Sequence, residues 1–203
     1  SSDLYWAEAA RTALKGVILH VASWRDYPQD ARTLITVHKL MRAGDAELKE
    51  LICLGGGEDE PSGHSLLFRA MCGNPAYDGV IEQTGAMLAD LERNSPRTFS
   101  SIMQVACTNL DFIDSPGMKR CLARSDFALD GLKTSRTGES LFLCLPQRYM
   151  TTHHRWLRMM TTLIIGEMER RRALPASGHP VLIVLDEFPA LRRMRTIENA
   201  AAQ

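Results

Sequence analysis

Two adjacent carboxylates, Asp186 and Glu187, follow the apolar run Val181–Leu185 (VLIVL). Four or more apolar residues ending in Asp-Glu form the Walker B pattern. A buried parallel strand delivers its last residues to the carboxyl edge of a sheet, where α/β proteins bind ligands. There the first carboxylate, Asp186, would hold Mg²⁺ directly or through water. The second, Glu187, would polarise the water that attacks a γ-phosphate. The plain alternative is a strand that runs into an acidic turn. The other half of such a site is missing from the sequence. No GxxxxGK[ST] occurs; Gly55-Gly56-Gly57 and Ser62-Gly63-His64-Ser65 both lack the lysine. Without a phosphate cradle the chain is not expected to hold ATP tightly by itself.

The elements that would position the pair come next. Leu141–Leu145 (LFLCL) is an apolar run between Ser140 and Pro146, short enough for a buried strand. Met150–Arg172 has the length of one long helix, and Pro175, Gly178 and Pro180 break it before the second run begins. Strand, long helix, strand is the βαβ order of a parallel sheet covered by helices. Residues 1–122 read differently. Apolar periodicity predicts helices over 3–21, 31–42, 77–93 and from Pro96 to about Ile113. Short helices are expected at 45–54, 66–71 and 118–124, with a polar connector at 55–63 (GGGEDEPSG). The stripe assigned to the first helix is Leu4, Ala7, Leu14, Val17, Ile18 and Val21. The expected fold is therefore α-rich and mixed: an all-α domain over 1–122, then a partial RecA-like α/β domain over 123–203. The sequence also reads as cut at both ends, and a sheet cut open exposes edges that invite association.

Charge follows the same division. Residues 1–122 carry twelve Lys/Arg against sixteen Asp/Glu, a balance of −4, and residues 123–203 carry twelve against eight, a balance of +4. An acidic first module is a poor general binder of nucleic-acid backbones. It suits a basic protein surface better. No apolar run reaches the length of a membrane span. Cys53, Cys72, Cys107, Cys121 and Cys144 form no CxxC pair, and each is expected as a buried reduced thiol.

Other residue types near the pair are read against plainer roles. His153 and His154 are adjacent, whereas helical metal ligands want i, i+4 spacing, so they read as surface or packing residues. Glu169-Arg170-Arg171-Arg172 complements a helix C-terminus. Arg192, Arg193 and Arg195 read as basic surface, with an approach to a nucleotide or subunit interface as the alternative. Gln147 is a strand end that could approach a nucleotide. Trp6, Trp24 and Trp156 read as packing anchors.

With these pieces in order, a family resemblance emerges. Val181–Arg193 (VLIVLDEFPALRR) resembles the Walker B segment of type IV secretion coupling proteins, the TraG/TraD-type conjugation ATPases. Ser140–Gln147 (SLFLCLPQ) with Arg155-Trp156-Leu157-Arg158 is similar to that family's strand and following helix. Ser125–Leu132 (SDFALDGL) resembles its re-entry into the nucleotide-binding domain. Trp6–Val21 is similar to the first helix of its inserted all-α domain. The resemblance implies a membrane-anchored, hexameric, RecA-like parent at the cytoplasmic face of a bacterial inner membrane, using ATP and Mg²⁺. It implies that residues 1–122 select substrate, a relaxase–DNA complex or a secreted protein, for delivery to secretion-channel components, with direct DNA contact left open. The alternative is another P-loop DNA-translocating motor with a helical insertion.

Overall fold

The computed structural model describes residues 2–43, 63–171, 173–186, 191 and 193–201. It divides into two compact units, Ser1–Arg124 and Ser125–Gln203. The expected helix at 45–54, most of the connector at 55–63, and Cys53 lie outside the described residues.

The first unit is helical: α1 (Ser2–Ser23), α2 (Leu34–Arg42), α3 (Gly63–Cys72), α4 (Val80–Asn94), α5 (Pro96–Leu110) and α6 (Pro116–Leu122), with short 3₁₀ turns at Gln29–Ala31 and Asp111–Asp114. Start signals are local. Thr33 Oγ1 accepts from Thr36 N at 3.3 Å to open α2. Ser115 Oγ accepts from Met118 N at 3.2 Å to open α6, and Pro96 and Pro116 occupy first-turn positions where no N–H is needed. The α4 helix begins three residues later than the periodicity predicts. Tyr77, Asp78 and Gly79 all take positive φ (59°, 52° and 80°), so the chain reverses there before helix can start.

The core joins Val17 and Val21 of α1 to Val37, Leu40 and Met41 of α2, Leu66, Leu67, Phe68 and Met71 of α3, Leu88 of α4, and Ile102 of α5. The stripe assigned to α1 holds at Val17 and Val21 and requires correction at Leu4 and Ile18. Ala10, Ala13, Val17, His20 and Val21 are buried, while Leu4 is 66% and Ile18 37% exposed. Close approach decides this. A Cβ on Gly16 would lie 2.4 Å from Thr84 Cγ2 of α4, so α1 turns its smallest residues inward. Gly85 serves the contact of α4 with α3, where a Cβ would stand 2.9 Å from the Phe68 carbonyl oxygen.

The second unit contains α7 (Gly131–Thr134), α8 (Met150–Arg170) and α9 (Arg195–Ala201), with a 3₁₀ turn at Gln147–Tyr149. Among the described residues there is no strand. Leu141–Leu145 and Val181–Leu185 are irregular where strands were expected. A parallel strand is defined by ladder partners and is normally covered on both faces, and among the described residues neither run has such partners. The first run still alternates as a strand would, with Leu141, Leu143 and Leu145 half-buried and Phe142 82% exposed. In the second run Leu182 is 85% and Val184 76% exposed.

The cysteine expectation also changes. Cys72, Cys121 and Cys144 are exposed free thiols, and Cys107 is half-buried, its Sγ 3.2 Å from the Met41 carbonyl oxygen. Apolar sequence neighbours did not bury these residues: Cys121 and Cys144 lie open, and Cys72 and Cys107 sit at the margins of helix contacts, beside the Glu82 and Met41 carbonyls.

Candidate functional site

The acidic pair sits at the end of Val181–Leu185. Asp186 is exposed and begins a turn; Glu187 lies outside the described residues. The chain beyond the pair is held from α8. Arg158 donates from Nη1 to the carbonyl oxygen of Leu191 and, at 3.1 Å, to that of Arg193. Leu191 and Met194 are buried at 2% and 5% exposure, which anchors this stretch before α9 starts. One guanidinium thus fixes two carbonyls on the far flank of the acidic turn. Nothing in the sequence spacing signals this, since Arg158 and Leu191 are 33 residues apart.

The other end of α8 is tied down equally firmly. Lys133 of α7 donates to the carbonyl oxygens of Met168, at 3.0 Å, and Arg171, satisfying groups that a helix C-terminus leaves open. Arg171 bonds Asp130 and Glu167, each at 2.9 Å, and Arg170 bonds Glu167 as well. The expected role of Glu169–Arg172 at a helix end thus falls to Arg170 and Arg171, while Arg172 lies outside the described residues.

The remaining residues singled out near the pair scatter. His153 is 8% exposed, its Nδ1 is 2.6 Å from Thr152 Oγ1, and its ring meets Tyr149 at 5.3 Å. His154 Nδ1 lies 3.0 Å from the Thr151 carbonyl oxygen. The two imidazoles serve packing and helix-start contacts. Arg193 is paired with Glu198 at 3.0 Å, and Arg192 is outside the described residues. Gln147 is exposed in the turn that precedes α8. Trp156 is a buried anchor at 7% exposure. Among the described residues no three His, Cys, Asp or Glu side chains converge as a metal site. Asp186 offers one accessible carboxylate among the described residues of this stretch.

The comparisons with known proteins decide the family. Residues 3–203 match the family described as Type IV secretory system Conjugative DNA transfer. The chain belongs to this family. Two relatives, both conjugal transfer protein TraG of Escherichia coli, are 22% identical over 209 and 207 residues. Each alignment takes in 98% of this chain and 30% of the relative, so the chain spans under a third of the length of these relatives. No solved structure matches. The family match covers both units, including the helical one, which carries no nucleotide motif.

The helical unit holds a second constellation that sequence reasoning missed. His20, near the end of α1, is 1% exposed, and burial lowers its pKa from 6.5 to about 4. Asn74 Nδ2 lies 3.2 Å from His20 Nδ1 and donates to Ser23 Oγ at 3.0 Å, while Asn74 Oδ1 accepts from Ala76 N at 3.1 Å. Ser23 Oγ in turn donates to the Leu19 carbonyl oxygen at 2.7 Å. Trp24 and Tyr27 pack on the imidazole at 5.1 and 6.0 Å. His20 and Asn74 are 54 residues apart, so no local pattern foretells them.

Proposed function

We propose that the chain is the substrate-receiving part of a conjugative coupling ATPase. On this reading the helical unit recruits a protein substrate, a relaxase–DNA complex or a secreted protein, for delivery to secretion-channel components. The second unit contributes Asp186 and Glu187 to a nucleotide site whose phosphate cradle comes from parts of a longer protein. The parent is hexameric, anchored at the bacterial inner membrane, and uses ATP with Mg²⁺.

The observation that carries this reading is the family match across residues 3–203, joined to the chemistry of the acidic pair at the end of an apolar run. Two further observations support it. Leu182, Val184 and Phe142 lie open to solvent, as side chains do in strands whose sheet partners are elsewhere. The −4 balance of residues 1–122 favours a basic protein surface over bare phosphate backbone. Asp186 would hold the Mg²⁺, which would offset phosphate charge; Glu187 would orient the attacking water and take its proton. Arg158 would keep the turn that bears them in register from behind.

The test uses the full-length parent. Asp186→Asn and Glu187→Gln are each expected to lower ATP turnover about 100-fold or more while leaving binding of the relaxase intact. Turnover at the level of the unsubstituted parent in both variants would remove the pair from the site. The alternative motor, a DNA translocase with a helical insertion, would bind bare DNA through residues 1–122 and ignore the relaxase.

A further inference from the structure

A groove of about 340 Å³ runs in the helical unit between α1 and α4. Tyr5 and Ala9 of α1, Met87 and Leu91 of α4 and the buried Ile102 of α5 give it apolar walls. The gap exists because α1 offers only the methyl of Ala9 opposite the long side chains of α4. Glu8 and Asp90, both exposed, stand one on each helix. Among the described residues no lysine, arginine or histidine lines the groove. Its volume lies at the lower end of the range of ligand pockets.

Both carboxylates keep their charge uncompensated. Glu8 makes no ion pair among the described residues; only its backbone carbonyl is engaged, by Thr12 Oγ1 at 3.1 Å. Asp90 Oδ1 accepts from the neutral amide of Asn94 at 2.6 Å, which leaves Oδ2 open, and Asp90 makes no ion pair among the described residues either. The nearby cations point elsewhere. The helical period turns Arg11 and Arg93 roughly 110° from the groove-facing residues of α1 and α4. It turns Arg97 roughly 140° from Ile102 on α5. Lys15 lies nearly a turn past Thr12, and none of the four lines the groove. Two like charges facing one another across a narrow groove repel, and a cation between them converts that repulsion into two attractions.

We propose that this groove receives an arginine side chain presented by a partner protein. The proposal rests on the recruitment reading above and names a surface that would do it. The groove asks for two things at once, an apolar stem and a cationic head. Arginine buries its methylenes along apolar surface while its charged end stays at the rim, so Met87, Leu91 and Ala9 would hold the stem and Glu8 and Asp90 the head. A guanidinium has five donors in a flat fork, enough to serve both carboxylates. It also lies flat on an aromatic ring, and Tyr5 at the rim is 55% exposed. Lysine offers the same charge without the fork or the flat face. An aliphatic side chain would take water from two carboxylates and return no partner, which is costly. An acidic side chain would add a third like charge. The complementarity is thus of charge and of shape together, and arginine is among the residues that most often anchor protein interfaces.

The test is a titration of the isotope-labelled 203-residue chain, read by NMR at the Met87 methyl and Tyr5 ring signals. The probes are the capped peptides Gly-Arg-Gly, Gly-Lys-Gly and Gly-norleucine-Gly. Gly-Arg-Gly is expected to shift both signals saturably, with Gly-Lys-Gly about threefold weaker for want of the fork. The norleucine peptide, a stem without a charge, is expected to be about tenfold weaker or more. Glu8→Gln and Asp90→Asn keep shape at exposed positions and Asp90→Asn keeps an acceptor for Asn94, so both should fold; each should weaken Gly-Arg-Gly about threefold or more. No saturable shift up to about 50 mM Gly-Arg-Gly would overturn the proposal. So would equal affinity for the norleucine peptide, or unchanged affinity in both variants. Peptide binding as expected, together with a relaxase that ignores the chain, would leave the groove standing and sink the recruitment reading instead. A relaxase that binds residues 1–124 while Gly-Arg-Gly does not would do the reverse.

Discussion

Acid should weaken the helical unit through His20, and the size of the effect follows from its surroundings. The folded ring protonates near pH 4, against 6.5 for the free side chain, because burial penalises its charged form. The unfolded state therefore binds the proton more readily over this window, and stability rises with pH across it. The contribution is fully present above about pH 6.5 and is lost progressively as pH falls towards 4. At ~1.4 kcal/mol per pH unit the whole interval amounts to roughly 3 kcal/mol. His38 acts in the same direction: burial lowers its pKa, opposed by Asp114 at 2.9 Å. The assay is urea denaturation at pH 7.5 and at 4.5, followed by hydrogen exchange at α1 and α3 amides, for the parent chain and for His20→Gln. Glutamine keeps an acceptor for Asn74 and cannot take a proton. The unsubstituted chain should lose about 2–3 kcal/mol more than the variant between the two pH values. Equal pH dependence in both would refute a neutral, buried His20.

Other consequences are simpler. Gly85→Ala pushes a methyl to 2.8 Å from Met71 Cβ and 2.9 Å from the Phe68 carbonyl. It should destabilise by about 1–2 kcal/mol, an overpacking cost that exceeds the helix-propensity gain of ~1 kcal/mol. Gly166→Ala meets nothing within 4 Å in the middle of α8, so the same exchange there should stabilise by about 0.5–1 kcal/mol in thermal melts. Lys133→Met keeps the stem but leaves the Met168 and Arg171 carbonyls without their donor. Faster amide exchange in the last turn of α8 and a loss of about 1 kcal/mol are expected. A thiol reagent should modify the exposed Cys121 and Cys144 well before Cys107, which is half-buried against the Met41 carbonyl and whose pKa burial raises; Cys72, exposed but with a pKa raised by burial and by Glu82, should fall between them.

The helices were legible in the sequence because each carries its own apolar period, and at Pro96 a start signal as well; the caps at Thr33 and Ser115 emerge only in the structure. Which face turns inward was harder. The apolar count on α1 finds Val17 and Val21 but also takes in Leu4 and Ile18, whereas the close contact at Gly16 and Thr84 brings in Ala10 and Ala13. Val181–Leu185 has the composition of a strand, but strand formation is a property of neighbours as much as of residues, and the described chain supplies no ladder for it. The acidic pair could be read directly because its two members are adjacent. The contacts around it could not. Arg158 reaches Leu191, and Asn74 reaches His20, across separations that only the fold closes.

The central claim is that the helical unit receives a protein and not bare DNA. The most direct measurement titrates the 203-residue chain with the relaxase of its own system and with single-stranded DNA, from about 50 to 200 mM salt. Saturable relaxase binding that shifts signals within residues 1–124 is expected, with no DNA binding at those residues. Tight DNA binding by residues 1–124 with a steep salt slope, and no response to the relaxase, would contradict it.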